Sequence, residues 1–214
     1  MSFQAVIFDM DGLLMDSERV GLQVMHECGL LQGYNIPLEK IRHTLGANRQ
    51  SASDYYHQFY PALDADKLFE DFRNAMCELA KQGKIPLKKG ALELLDALRE
   101  RKMPAAVASS SGPTTITAYL ESAGIISHFQ ALITGNGLPS KPAPDIFLKA
   151  AKTLGAQPEQ CLVLEDSENG IKAGRNAGMT VVMVPDMIPY TEAFRPYGDH
   201  VLPDLTAVIP LLDA

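Results

Sequence analysis

The sequence predicts an α/β protein: a Rossmann-like parallel sheet core with an inserted helical cap domain. Three observations lead there. The chain opens on four apolar residues in a row, Ala5-Val6-Ile7-Phe8, the pattern of a fully buried strand. From Glu18 to about Lys84 the patterning is helical, with almost no strand signal. From Pro86 onward, short apolar runs alternate with amphipathic helices, which implies right-handed crossovers and a parallel sheet covered on both faces. The expected organisation is a discontinuous core, residues 1–16 and 86–214, interrupted by a helical cap over 17–85.

In chain order, the first strand runs into Asp9 and Asp11, and Gly12 supplies a sharp turn beyond them. The insert places apolar residues at helical spacing: Val20, Val24 and Leu31, then Ile41 and Leu45, then Tyr55, Tyr56 and Phe59, then Leu68, Phe72, Met76 and Leu79. Breaks are expected at Gly33–Pro37, Gly46–Asn48 and Tyr60-Pro61. Such an insert would lie as a lid over the end of the first strand, joined through hinge-like segments at Gly12–Ser17 and Gln82–Pro86. The core then resumes with a helix over Gly90–Lys102 and a strand at Ala105–Ala108. A helix over Thr114–Ala123 and a strand at Ala131–Thr134 come next. Asp145–Leu154 is helical, Cys161–Leu164 a strand, Asn169–Ala177 a helix, and Thr180–Val184 a strand; Val201-Leu202 is a short final one. Gly124, Gly155 and Gly178 stand where C-terminal caps belong.

Ligands of parallel sheets bind beyond the carboxyl ends of the strands, and there this chain carries its polar residues. Asp9 and Asp11 would repel each other unless they share a proton or hold a cation. The pair suits a carboxylate nucleophile beside a carboxylic acid/base with a divalent metal, although an Asp after a strand also serves as a helix cap. Ser109, followed by Ser110, either holds phosphate oxygens with nearby backbone N–H groups or caps the next helix. Lys141, in a loop stiffened by Pro142 and Pro144, is either a solvated lysine or a cation aimed at one point. Glu165 and Asp166 end an otherwise apolar strand, where charge needs a partner. With Asp9 they make an all-oxygen set that fits Mg²⁺.

The string Phe8-Asp9-Met10-Asp11-Gly12-Leu13-Leu14-Met15-Asp16-Ser17 resembles the first signature of the haloacid dehalogenase (HAD) superfamily. Ser109, Lys141 and the Glu165-Asp166 pair match the other three in order. The flanking strings around Lys141 and Asp166 resemble the subgroup of β-phosphoglucomutase and small-metabolite phosphatases. The resemblance implies that Asp9 attacks phosphorus and that Asp11 is the acid/base. It also implies that Asp9, Asp166 and the Asp11 carbonyl bind Mg²⁺, with Glu165 acting through a metal-bound water. Ser109, Ser110 and Lys141 would hold the phosphoryl group. Asp11 argues against a dehalogenase, which needs no acid for a leaving alkoxide. Similar mutases carry a cap histidine twelve positions past the nucleophile, where this chain has Gly21. That favours a phosphatase of a small phosphorylated metabolite over a mutase. A catalytically silent binding module is a third reading. Arg49 is either a ligand for a distal phosphate or sugar, or a solvated arginine at a helix start.

Composition sets the remaining bounds. The chain has 214 residues, 46% hydrophobic and 21% charged, enough for a large core and too apolar for disorder. A net charge of −7 argues against nucleic-acid binding. Cys28, Cys77 and Cys161 have the odd count and spacing of reduced thiols, and no apolar run reaches membrane-spanning length. A cytoplasmic enzyme with no membrane association and no obligate protein partner is expected.

Overall fold

The computed structural model describes residues 3–187 and 189–213. Six strands form one parallel sheet: β1 Ala5–Phe8, β2 Ala105–Ser109, β3 Ala131–Thr134, β4 Cys161–Glu165, β5 Thr180–Met183 and β6 His200–Val201. Their spatial order is β3-β2-β1-β4-β5-β6. The order reverses between β1 and β4, which places a topological switch point at the sheet's centre. The short apolar runs end up there because both faces of a central parallel strand are covered. Alternation along β1 sends Val6 and Phe8 into one core layer and Ala5 and Ile7 into the other. Helices α5 (Ala91–Glu100) and α6 (Pro113–Ser122) cover the first face; α7 (Asp145–Leu154) and α8 (Glu168–Asn176) cover the second.

Between β1 and α5 the chain forms α1 (Ser17–Leu31), α2 (Leu38–Arg42), α3 (Arg49–Phe59) and α4 (Ala65–Lys81). The breaks fall where Gly, Pro and Asn predict them. Asn48 and Asp64 cap α3 and α4 by accepting the Ser51 and Lys67 N–H groups. Tyr56, fully buried, shares a hydrogen bond of 3.0 Å with Thr44. The apolar seam of this insert merges with the first core layer through Met10, Leu13, Leu14 and Met15, all fully buried.

The two connections to the insert pair with each other. The Asp16 N–H donates to the Pro86 carbonyl at 2.9 Å and the Lys88 N–H to the Leu14 carbonyl at 2.8 Å, around an antiparallel bridge of Met15 with Leu87. Charged side chains reinforce this ribbon. Asp186, nearly inaccessible, receives Lys88 at 2.5 Å and Arg19 at 3.0 Å, and Arg19 also reaches Asp16 at 3.1 Å.

Element bounds differ from expectation by a residue or two. Strands β2 and β4 extend to Ser109 and Glu165, so those polar residues belong to the sheet itself. Helix α6 begins at Pro113, whose missing N–H is no loss at a first helical position. Short 3₁₀ turns at Ile126–His128, Pro158–Gln160 and Glu192–Phe194 were not anticipated, nor was the longer run Leu205–Asp213, which packs against α5. Among the described residues no helix is long and apolar enough to cross a membrane.

Gly90 makes that last packing possible. Its φ is +84°, and a Cβ there would stand 2.4 Å from the Thr206 nitrogen. Gly90→Ala should therefore cost about 2 kcal/mol, from positive φ and backbone collision together. Urea unfolding checks this; a midpoint equal to that of the unmodified chain would contradict the packing described.

Candidate active site

Three strand ends and one loop converge on one point. Asp9 follows β1 directly and donates its N–H to the Leu164 carbonyl at 3.0 Å. Ser109 and Glu165 close β2 and β4, Asp166 comes next, and Lys141 lies between β3 and α7. Asp9, Ser109, Glu165 and Asp166 are all buried. The Lys141 ammonium donates to Asp9 Oδ1 at 2.5 Å, to Glu165 Oε1 at 2.7 Å and to the Ala108 carbonyl at 3.2 Å. It also lies 4.8 Å from the centre of the buried Phe147 ring. Burial opposes its charge, but Asp9 and Glu165 outweigh burial and hold the ammonium above its usual range.

Glu165 is fully engaged by the protein. Its other oxygen, Oε2, accepts the N–H groups of Asp166 at 3.0 Å and Ser167 at 3.1 Å, and the Ser167 hydroxyl at 2.9 Å. These donors gather at the start of α8, where a carboxylate is favoured. Gly170 clears the space: a Cβ there would fall 1.8 Å from the Glu165 carboxylate. Gly12 does the same for Asp166, since its Cβ would fall 2.2 Å from Asp166 Oδ2.

Asp11 turns toward hydroxyls instead. Ser17 Oγ donates to its Oδ1 at 2.8 Å, and Ser111 Oγ and Ser109 Oγ to its Oδ2 at 2.9 and 3.4 Å. The Ser111 N–H in turn donates to Ser109 Oγ at 3.0 Å, which ties the loop to the strand end. Three side chains here escaped the sequence reading. Ser17 was visible as the residue closing the first motif. Ser111 was indistinguishable from its two serine neighbours, and Glu18 carried no signal beyond helix-start acidity. Glu18 is pushed up to about 8 by burial and then by Asp186, Asp11 and Asp9.

The carboxylates left without protein donors mark where a cation fits. Among the described hydrogen bonds none reaches Asp9 Oδ2, the Asp166 carboxylate or the Asp11 carbonyl. Asp9 is pushed up to about 7 by burial, against the pull of Lys141 and with the push of Glu165 and Asp11. Asp166 is held well above the usual carboxylate range by burial, then by Glu165, Asp9 and Glu18. Two buried carboxylates and a carbonyl make a hard-oxygen set of the kind Mg²⁺ takes while keeping waters. Among the described residues, no three His, Cys, Asp or Glu side chains make a complete cage by themselves.

A cavity of about 400 Å³ opens from Asp11, Ser17 and Ser111 toward the insert. Ser110 and Arg49 line it, both exposed. Arg49 is turned to Asp66, at 2.7 Å, with its guanidinium 5.4 Å from the Phe69 ring centre. The structure thus gathers Asp9, Asp11, Ser109, Lys141, Glu165 and Asp166, and leaves Ser110 and Arg49 at the cavity wall.

Comparisons with known proteins identify the family and the fold. A family model described as "haloacid dehalogenase-like hydrolase" matches residues 3–178. Hexitol phosphatase B of Escherichia coli (strain K12) is 32% identical over 85% of this chain and 83% of its own length. The Drosophila melanogaster protein named "Probable pseudouridine-5'-phosphatase" is 33% identical over 84% of this chain and 80% of its own. The crystal structure of CbbY from Rhodobacter sphaeroides in complex with phosphate superposes with a TM-score of 0.84 at 22% identity, covering 99% of this chain and 100% of that one.

The Lys141 pairing has a measurable consequence. Lys141→Met should cost about 3 kcal/mol in metal-free solution, because it leaves Asp9 and Glu165 buried without their cation. The sign with pH follows from Asp9. A carboxylate whose folded pKa lies above its unfolded value binds more protons when folded, so stability falls as pH rises toward that folded value. Removing the ammonium raises it further, so the deficit should be larger at pH 8 than at pH 5. Urea unfolding at both pH values decides it; a pH-independent deficit would contradict the pairing.

Proposed function

The chain belongs to the haloacid dehalogenase-like hydrolases, and from that premise we propose that it is a Mg²⁺-dependent phosphatase that hydrolyses a small phosphorylated metabolite through a phosphoryl group carried on Asp9. The convergence of Asp9, Lys141, Glu165 and Asp166 at the switch point of the sheet carries this reading.

Asp9 has one oxygen on Lys141 and one free of protein donors, so a cation can sit at one oxygen while the other faces phosphorus. A carboxylate oxygen of Asp9 attacks phosphorus while Asp11 gives a proton to the departing alkoxide. Asp11, now ionised, takes a proton from a water that attacks the same phosphorus, and Asp9 is released. Its tether of Ser17 and Ser111 hydroxyls holds Asp11 at the cavity mouth between the two steps. Ser109 and the N–H groups of the following loop hold phosphoryl oxygens, and Lys141 offsets their charge. Glu165 acts through Lys141 and the start of α8, fixing where the ammonium stands. Mg²⁺, when bound by Asp9, Asp166 and the Asp11 carbonyl, supplies the remaining charge neutralisation.

Residues 17–85 are read as a cap that closes over this centre, with 1–16 and 86–214 as the core. The cap supports hydrolysis better than a mutase. At Gly21, where similar mutases carry a histidine, the Phe72 ring stands 3.3 Å from the place a Cβ would take. Three free thiols support a reducing, cytoplasmic setting.

Asp9→Asn should abolish phosphate release from an aryl phosphate, as should EDTA, while the unfolding midpoint stays measurable. Wild-type turnover by Asp9→Asn would end the covalent mechanism. Asp11→Asn should lower kcat by about 10²–10⁴ for esters of basic alcohols and much less for acidic phenols. An equal loss on both substrates would remove Asp11 from the proton-transfer role.

A further inference from the structure

The cavity beyond Asp11 has two unlike ends. Around Asp11 it is lined by Glu18 and by the hydroxyl residues Ser17, Ser110, Ser111, Thr115 and Tyr119. Farther into the insert its walls are Leu22, Met25, Leu45, Phe69, Phe72 and Met76, none of which offers a strong donor or acceptor. Of the polar side chains that reach this part, Thr44 is committed and two arginines stand half exposed beside carboxylates. Thr44 Oγ1 donates to the Ile41 carbonyl at 2.8 Å and shares a hydrogen bond with Tyr56. Arg49 is held by Asp66, and Arg73 is half exposed beside Glu70.

Resting on the phosphatase reading, we propose that the alcohol released at this site carries a flat aromatic or heteroaromatic ring, seated against Phe72 in the apolar end of the cavity. A polyhydroxylated leaving group would bring several hydroxyls against a largely carbon wall whose side-chain donors, Arg49 and Arg73, already face carboxylates, and each hydroxyl desolvated without a partner weakens binding. A ring loses nothing there. It gains edge or face contact with Phe69 and Phe72 and sulfur contact with Met25 and Met76. Gly21 lets the Phe72 ring lie against the backbone of α1, so the wall is smooth where a side chain would otherwise project. The volume of about 400 Å³ suits a ring-bearing monoester.

The test compares esters of primary alcohols, so that leaving-group basicity is matched. Benzyl phosphate and uridine 5′-monophosphate are set against sorbitol 6-phosphate and glucose 6-phosphate, all with Mg²⁺. The ring-bearing pair should show kcat/KM higher by on the order of tenfold or more. Phe72→Asn should shrink that ratio by about tenfold, chiefly through KM, and Phe72→Leu, which keeps apolar bulk and guards against a folding defect, should shrink it less. Equal or better turnover of the polyol esters would overturn the ring assignment while leaving the phosphatase standing. So would a ratio unaltered in both variants. Failure to hydrolyse any of the four esters would instead take down the phosphatase reading, and this one with it.

Discussion

One ammonium group holds the centre of this protein together. Lys141 is the only cation within hydrogen-bond reach of Asp9 and Glu165 among the described residues, and it joins the ends of β1 and β4 to the loop after β3. Burying three charges is costly unless each is matched, and here the match is nearly complete. Glu165 spends one oxygen on Lys141 and the other on the start of α8; Lys141 spends its protons on two carboxylates and a carbonyl. Only Asp9 keeps an oxygen in reserve. The pairing therefore ties the strands together at the sheet's switch point and leaves Asp9, rather than Glu165, with an oxygen free of protein donors.

The same centre carries more negative charge than one lysine can balance. Asp11, Asp166 and Glu18 crowd around Asp9, and burial pushes Asp9, Glu18 and Asp166 toward their protonated forms. A site in that condition draws in positive charge. On the proposed reading, a divalent ion would relieve the repulsion and let a phosphoryl group approach carboxylates that would otherwise repel it. Small residues are as necessary as charged ones here. Without the bare backbones at Gly12 and Gly170, neither Asp166 nor Glu165 could occupy its place.

Much of this was legible from sequence because strand ends announce themselves. Apolar runs that stop abruptly at Asp9, at Ser109 and at Glu165 leave little choice about where those side chains emerge, and prolines around Lys141 mark a stiff loop. What stayed hidden has a common cause: it depends on which way a side chain turns. Three consecutive serines look alike until the loop after β2 selects Ser109 and Ser111 to face Asp11 and leaves Ser110 exposed. Helical periodicity places Phe72 and Met76 on an inner face of α4 without saying that they wall a cavity. Arg49 sat at a plausible distance along the chain, yet its partner, Asp66, lies on a different helix. The 3₁₀ turns of Leu205–Asp213 escaped because Pro210 breaks any longer period.

The joint between sheet and insert has a main-chain frame. Its two connections are bonded to each other through the N–H and carbonyl groups of Leu14, Asp16, Pro86 and Lys88. Main-chain bonds do not read side-chain identity. Past the first turn of α1, the helices beyond the joint can thus be rewritten residue by residue, new walls for new guests, while the carboxylates beneath keep their places. In such a molecule, selectivity and reactivity are free to evolve on separate schedules.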